Sequence, residues 1–203
     1  RGGYKVVSAR VIGKGSSSTF SQTITIDAGT RDGVQRDMTV IGEFGVIGVV
    51  KSVTSTSAIV LLISDPTFRI GVRLARSQSV GVLMGEGDNN FTLQLLDPSG
   101  VIEKGDVLLS LGSDNNKPFV PGLPVGFVKT VSSSRATLTQ VASVGIYSNL
   151  NSLGVVSVVL RSPNEDPKNS LVPIPIPIPT TTVYVTQSPE AVVTPDGVAK
   201  DQN

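Results

Sequence analysis

The feature that most constrains this chain is a two-residue alternation of apolar and polar side chains, repeated in short runs cut by glycine- and aspartate-rich turns. In Phe91-Thr92-Leu93-Gln94-Leu95 every second residue is apolar. In Phe20 to Ile26, Phe20, Ile24 and Ile26 share one face, and Ser21, Thr23 and Thr25 share the other. A period of two is that of a strand with one buried face, not of a helix. Further strands are expected at Tyr4–Ile12, Met38–Ile41, Val46–Val53, Phe68–Leu74, Ser79–Met84, Val107–Leu111, Val125–Val131, Ala136–Val141 and Val155–Leu160. Gly42-Glu43-Phe44-Gly45 has the length of a hairpin connection. Ala58–Ile63 is apolar at every position and is expected to be covered on both sides. Only Ser148–Leu153 suits a helix, and a short one.

Many short strands with turns about every ten residues predict an all-β fold of barrels or sandwiches. The core must come from Val, Ile and Leu, since aromatics make up 4% of the 203 residues and Trp is absent. The reading favours two small β-barrel-like subdomains, at 4–75 and 76–161, with the final strand free to return to the first. Composition changes at 162–203. There Leu171-Val172-Pro173-Ile174-Pro175-Ile176-Pro177 places proline at alternate positions, which forbids helix and central strand. A disordered, polyproline-like tail is expected, with docking to a partner as the sharper alternative.

Charge and residue inventory exclude several functions. Lys and Arg total 17 and Asp and Glu 16, interspersed, so the basic face of a nucleic-acid binder is missing. There is no Cys and no His, which removes thiol nucleophiles, the Ser-His-Asp triad, disulfides and Cys/His zinc sites. The serine runs Ser16–Ser18 and Ser132–Ser134 could use only Lys14 or Lys129 as a base, and no motif supports such a dyad. The spaced glycines of Gly45–Val50 and Gly81–Gly87 lack the strand–helix context of a dinucleotide loop. No cofactor, metal or small-molecule substrate is expected.

Two acidic segments invite an enzymatic reading. Asp27-Ala28-Gly29-Thr30 follows a strand, as does the Asp-Thr/Ser-Gly loop of an aspartic protease. Such a dyad needs a second matching loop, and Asp65-Pro66-Thr67 and Asp97-Pro98-Ser99 lack the glycine. Glu103 and Asp106, three apart, resemble a glycosidase pair only in composition. Turn chemistry is the simpler account. Asp27 caps a turn, with Gly29 and Gly33 supplying positive φ and Arg31 and Asp32 facing water. Asp65-Pro66 ends a strand, and Gly105-Asp106, Pro121-Gly122 and Gly126 shape later corners. No contact residue for a partner can be named; the loops Lys14–Ser18 and Ser113–Pro118 are candidates by exposure alone.

The order of these pieces resembles one family. Ser8–Gly13 (SARVIG), Thr19–Val34 (TFSQTITIDAGTRDGV), Gly45–Val50 (GVIGVV), Ser57–Arg73 (SAIVLLISDPTFRIGVR), Gly81–Gly87 (GVLMGEG), Ile102–Gly112 (IEKGDVLLSLG) and Phe119–Val128 (FVPGLPVGFV) are similar to successive blocks of the rod shape-determining protein MreC family. The chain departs from the family pattern at Ser110-Leu111-Gly112 and through the surrounding Gly112–Gly122 (GSDNNKPFVPG). The resemblance implies a non-enzymatic scaffold of the peptidoglycan-synthesising cell-elongation complex. It implies a pair of β-barrels on the outer face of the cytoplasmic membrane, anchored by a helix preceding Arg1. Its implied partners are a class B penicillin-binding protein, RodA, MreD and, indirectly, MreB. Self-association through open sheet edges is expected as well. The competing readings are an envelope adaptor or transport-complex β module and, behind it, a hydrolase using Asp27.

Overall fold

The computed structural model describes residues 3–15, 21–133, 140–163 and 166–173. The strands are β1 (Lys5–Lys14), β2 (Thr23–Ile26), β3 (Thr39–Ile41), β4 (Val46–Val53), β5 (Ala58–Leu62), β6 (Arg69–Leu74), β7 (Val80–Gly85), β8 (Phe91–Leu95), β9 (Val107–Ser110), β10 (Pro124–Ser133), β11 (Gln140–Ile146) and β12 (Val155–Arg161). They close into two barrels, β1-β12-β3-β4-β5-β2 and β10-β11-β8-β7-β6-β9. The alternation read from Phe91–Leu95 is realised: Phe91, Leu93 and Leu95 are buried, and Thr92 and Gln94 are not. Inward-facing Ile24, Ile26, Val40, Val50, Val60 and Val158 are at most 1% exposed, as are Ile70, Val72, Leu83, Leu93 and Leu108 in the other barrel. The two cores form one continuous cluster. Phe68 meets Phe119 edge to face at 5.5 Å, a favoured aromatic geometry.

The chain leaves the first barrel after β5 and returns to it as β12. β12 pairs with β1 along Val155–Arg161 and with β3 at Ser157 and Val158. β6 bonds to β7 and β9, so Arg69–Leu74 belongs to the second barrel and not, as the boundary at residue 75 supposed, to the first. Period-two patterning shows which face of a strand is buried, but not which sheet the strand joins.

Other expectations are corrected. β11 starts at Gln140; the beginning of the strand expected from Ala136 lies outside the described residues. Ser148–Leu153 is a turn, with Asn149 Oδ1 accepting the Asn151 N–H at 3.0 Å. β5 is not covered on both sides, because Ile59 is 41% exposed on its outer face. Both sheets close on themselves, which removes open sheet edges as the basis for self-association. The tail does not leave the fold at residue 162: Arg1–Pro173 forms one compact unit. The polyproline expectation for 174–203 lies outside the described residues.

The corner at Asp27–Val34 shows how local chemistry shapes the first barrel. Asp27 does not cap its own turn; its carboxylate reaches back to β1, accepting the Arg10 N–H at 2.6 Å and Arg10 Nε at 2.9 Å. The turn is capped by Asp32, which accepts the Gly29 N–H at 2.9 Å. Gly33 has φ 85°, the left-handed region. Gly29 is extended at φ −135°, so positive φ is not its reason. A Cβ there would lie 2.5 Å from the Ser55 carbonyl carbon and the Thr56 nitrogen. The turn docks directly on the β4–β5 loop, with the Thr30 N–H donating to Thr54 O and the Arg31 N–H to Ser55 O.

Asp65 joins the barrels at the outward crossing. It is fully buried. Its carboxylate accepts the Gln22 N–H at 2.7 Å, from the start of β2, and the Thr67 N–H at 2.8 Å, from the approach to β6. Burial pushes this carboxyl up, but hydrogen bonds from Thr67, Gln22 and Ser21 outweigh it and hold it below the ordinary 3.8.

Two predictions follow from this geometry. Gly29→Ala, forced against backbone, should lower stability by about 2 kcal/mol or more. Gly33→Ala should cost about 1 kcal/mol through φ alone, and Asp27→Asn the least of the three in thermal unfolding; equal effects would contradict this account. Asp65→Asn should cost about 2 kcal/mol at neutral pH, because its amide cannot accept every donor that faces the carboxylate. Since the folded carboxyl titrates lower than the unfolded one, its stabilisation is present above the unfolded value and is lost as pH falls through the folded one. The gap between wild type and Asp65→Asn in denaturant titrations should therefore narrow as pH falls out of the ordinary carboxylate range and through the lower folded value; a gap unchanged by acid would refute the role.

Candidate functional site

The remaining acidic candidates are placed as structural acceptors. Asp106 is 6% exposed and accepts Arg76 through two bonds, Nε to Oδ1 at 2.7 Å and Nη2 to Oδ2 at 2.9 Å. It also accepts the Glu103 N–H at 2.8 Å, closing the turn in which Gly105 has φ 91°. Burial raises the Asp106 carboxyl, yet Arg76 and the Glu103 N–H bring it below the usual range. Glu103 lies 3.2 Å from the same guanidinium. A carboxylate held ionised by Arg76, as Asp106 is, is the opposite of the protonated carboxyl that a general acid needs. Arg76 was not singled out from sequence; an arginine thirty positions away carries no local signal.

The other turn residues sit between structural layers. Pro66 O accepts Arg69 Nη1 at 2.8 Å. Pro121 O accepts the Tyr4 hydroxyl. Gly122 has φ 77°, and a Cβ there would meet Pro167 at 2.4 Å. A Cβ on Gly126 would lie 2.2 Å from Gly145 O across the β10–β11 ladder. The loop Ser113–Pro118, a candidate by exposure, is exposed at Asp114–Lys117 and also ties the barrels: Pro118 O accepts Thr39 Oγ1 at 2.8 Å, and Lys117 Nζ donates to Gln35 Oε1 at 3.0 Å. In the other exposed loop, Lys14 Nζ donates to Asn151 O at 2.9 Å, while Ser16–Ser18 lie outside the described residues. Among the described residues no cluster of acidic side chains has metal-binding spacing, and no helix is long and apolar enough to cross a membrane.

What the fold does assemble is a groove of about 900 Å³ where the barrels meet. One wall is the outer face of the β1–β12 pair, carrying Val6 and Val155. Facing it are Phe44, from the tip of the β3–β4 hairpin, and Pro124 and Tyr147 from the second barrel. Val6, Phe44 and Val155 are 42%, 58% and 64% exposed, a large apolar surface for side chains of this kind. Phe44 is held in place by its neighbours. The hairpin closes with the Gly42 N–H on Gly45 O at 2.8 Å, and Ser148 Oγ donates to the same oxygen at 3.3 Å. Gly45 packs so closely on the second barrel that a Cβ would lie 2.4 Å from Pro124 O.

The groove is almost free of charge. Glu43 is its one ionisable carboxylate or cationic residue among those described. Burial, and secondarily Asp166, push the Tyr4 phenol up to about 12, and burial raises that of Tyr147. Both phenols are therefore neutral at physiological pH. Sequence reading passed over this site. Its one local signal is Phe44, an exposed aromatic at a hairpin tip in a chain with six phenylalanines.

Comparison with known proteins bears on this architecture. A family model described as "Rod shape-determining protein MreC, barrel core" matches residues 11–160. The cell shape-determining protein MreC of Haemophilus influenzae is 36% identical over 114 residues, or 56% of this chain and 32% of that protein. The chain spans from 30% to 58% of the length of the curated relatives it matches. The crystal structure of MreC from Pseudomonas aeruginosa aligns with TM-score 0.68 and 30% identity, over 76% of this chain and 99% of that one. A structure of a complex between penicillin-binding protein PBP2 and MreC from Helicobacter pylori aligns with TM-score 0.58 over 77% of this chain and 100% of that one; at 15% identity it shares the fold. Since the matched region runs from β1 through both barrels into the returning strand β12, the chain belongs to the rod shape-determining protein MreC family.

Proposed function

We propose that this chain is a non-enzymatic scaffold of the cell-elongation machinery, and that its inter-barrel groove seats an extended apolar segment of a class B penicillin-binding protein. The observation that carries this reading is the groove: Val6, Phe44 and Val155 stand exposed along a cleft with a single charged lining residue, Glu43. A cleft of that kind favours partners that bury aliphatic and aromatic side chains around a few polar contacts. Family membership, and the pairing of the Helicobacter pylori relative with a penicillin-binding protein, support the choice of partner.

Binding of this kind works by differential affinity. A scaffold that fits one conformation of the enzyme better than another raises the population of that conformation. The same reading places the barrels outside the cytoplasmic membrane, tethered by a helix preceding Arg1, where RodA and MreD, and MreB through them, complete the complex.

Calorimetric titration with the extracytoplasmic region of the class B penicillin-binding protein from the same cell tests the proposal. Phe44→Asp and Val155→Asp should each weaken binding by about tenfold or more, since a charge must then be desolvated in an apolar contact. Ile59→Asp, on the outer face of β5 and away from the groove, should bind as wild type. Wild-type affinity in both groove variants would overturn the assignment.

A further inference from the structure

Residues Asp166–Pro173 lie beyond the matched family region, which ends at 160, yet they are packed onto the barrels. They form two successive tight turns, with the Ser170 N–H donating to Pro167 O at 3.0 Å and the Val172 N–H to Asn169 O at 3.1 Å. Asp166 Oδ1 caps the first by accepting the Lys168 N–H at 2.8 Å. Pro167 covers Gly122, where no side chain could fit beneath it. Leu171 packs against the common core, and Leu171 and Pro173 line the groove beside Tyr4 and Leu123.

The anchor of this segment is Arg73 on β6, which is 7% exposed. Its Nη1 donates to Asn169 Oδ1 at 2.7 Å and to Gln78 Oε1 at 3.2 Å. Nη2 is buried with no hydrogen-bond partner among the described residues. Asn169 answers with its other end, Nδ2 donating to Ala75 O at 2.9 Å. The asparagine amide is therefore read at both atoms, as acceptor from the guanidinium and donor to the backbone. Arg73 is buried while Asn169 lies at the surface, so the latch ties an exposed segment to a buried guanidinium, and its directional bonds fix register in a way that apolar contact does not.

We infer that Asp166–Pro173 is a strap that completes the groove, its Arg73–Asn169 latch setting Leu171 and Pro173 as the last wall against which the partner segment packs. The inference rests on the groove reading above. A strap of this build adds the apolar side chains of Leu171 and Pro173 to the groove lining beside Tyr4. The groove it completes takes one extended, largely uncharged segment of the penicillin-binding protein, since Glu43 is the single charged residue among its described lining. These wall residues lie outside the matched family region, which ends at 160.

The test uses the full chain and the same penicillin-binding protein in four forms: wild type, Asn169→Ala, Leu171→Ser and Phe44→Asp. Asn169→Ala releases the latch, and Leu171→Ser removes the apolar wall without touching the latch. Each should weaken binding by about three- to tenfold. In hydrogen exchange, the Ser170 and Val172 amides should become more protected in wild type on complex formation. Unchanged or tighter binding in both strap variants, with Phe44→Asp still weakened, would overturn the strap while leaving the groove standing. Wild-type binding by Phe44→Asp would instead remove the groove reading. Should Leu171→Ser fail to fold, Asn169→Ala and the wild-type exchange decide; amides that gain no protection on binding count against the strap.

Discussion

Everything in this molecule depends on the return of one strand. The first barrel closes only when β12, the last strand, inserts between β1 and β3. A barrel missing that strand would expose two unpaired edges and open its core to water. The second barrel is thus an insertion between β5 and β12, and the chain must cross between barrels twice. Each crossing brings backbone out of its ladder, where buried polar groups need other partners. Asp65 supplies them on the way out, binding residues that lead into both barrels. On the way back, Tyr147–Gly154 runs as an irregular turn along the groove, with Ser148 holding the hairpin tip that carries Phe44. The groove is a consequence of how the first barrel is closed.

The same demand explains the use of carboxylates. Asp27, Asp65 and Asp106 each accept backbone N–H groups, and Asp27 and Asp106 also pair with an arginine. Each is held below its ordinary pKa, so each stays ionised over the working range. Acid catalysis asks the reverse, a carboxyl kept protonated by an apolar pocket. The apolar surface that a pocket would need lies elsewhere, in the groove, where Glu43 is the single charged residue. Acids and exposed apolar surface are thus segregated: Asp27, Asp65 and Asp106 sit at turns and at the crossing, and Val6, Phe44 and Val155 line the groove.

How much was legible before the coordinates varies with the range of the interaction. Strands such as β4 and β8 were read residue for residue, because alternation is a local property of the backbone. The Asp-Gly corners were read as turns for the same reason. Their internal assignments were not: Gly29 is kept by the approach of Ser55 and Thr56, and Asp27 serves β1, contacts made by residues distant in sequence. β6 was placed in the wrong barrel because its pattern is equally good in either sheet. Asp166–Pro173 reads as tail because it is polar and proline-bearing; Arg73, which holds Asn169, lies 96 residues away.

Residue type and spacing alone point to an all-β chain whose short strands bury aliphatic faces and which lacks the side chains of thiol, histidine or Cys/His zinc chemistry, and the order of its motifs resembles the MreC family. The strand faces and the missing side chains follow from residue type and local spacing, which need no knowledge of the partner strand. Which barrel each strand joins, which donor each aspartate serves, and that Val6, Phe44 and Val155 line one groove are settled by tertiary structure. The reason is physical: pairing and packing between distant segments are set by barrel closure, and that is a property of the whole chain.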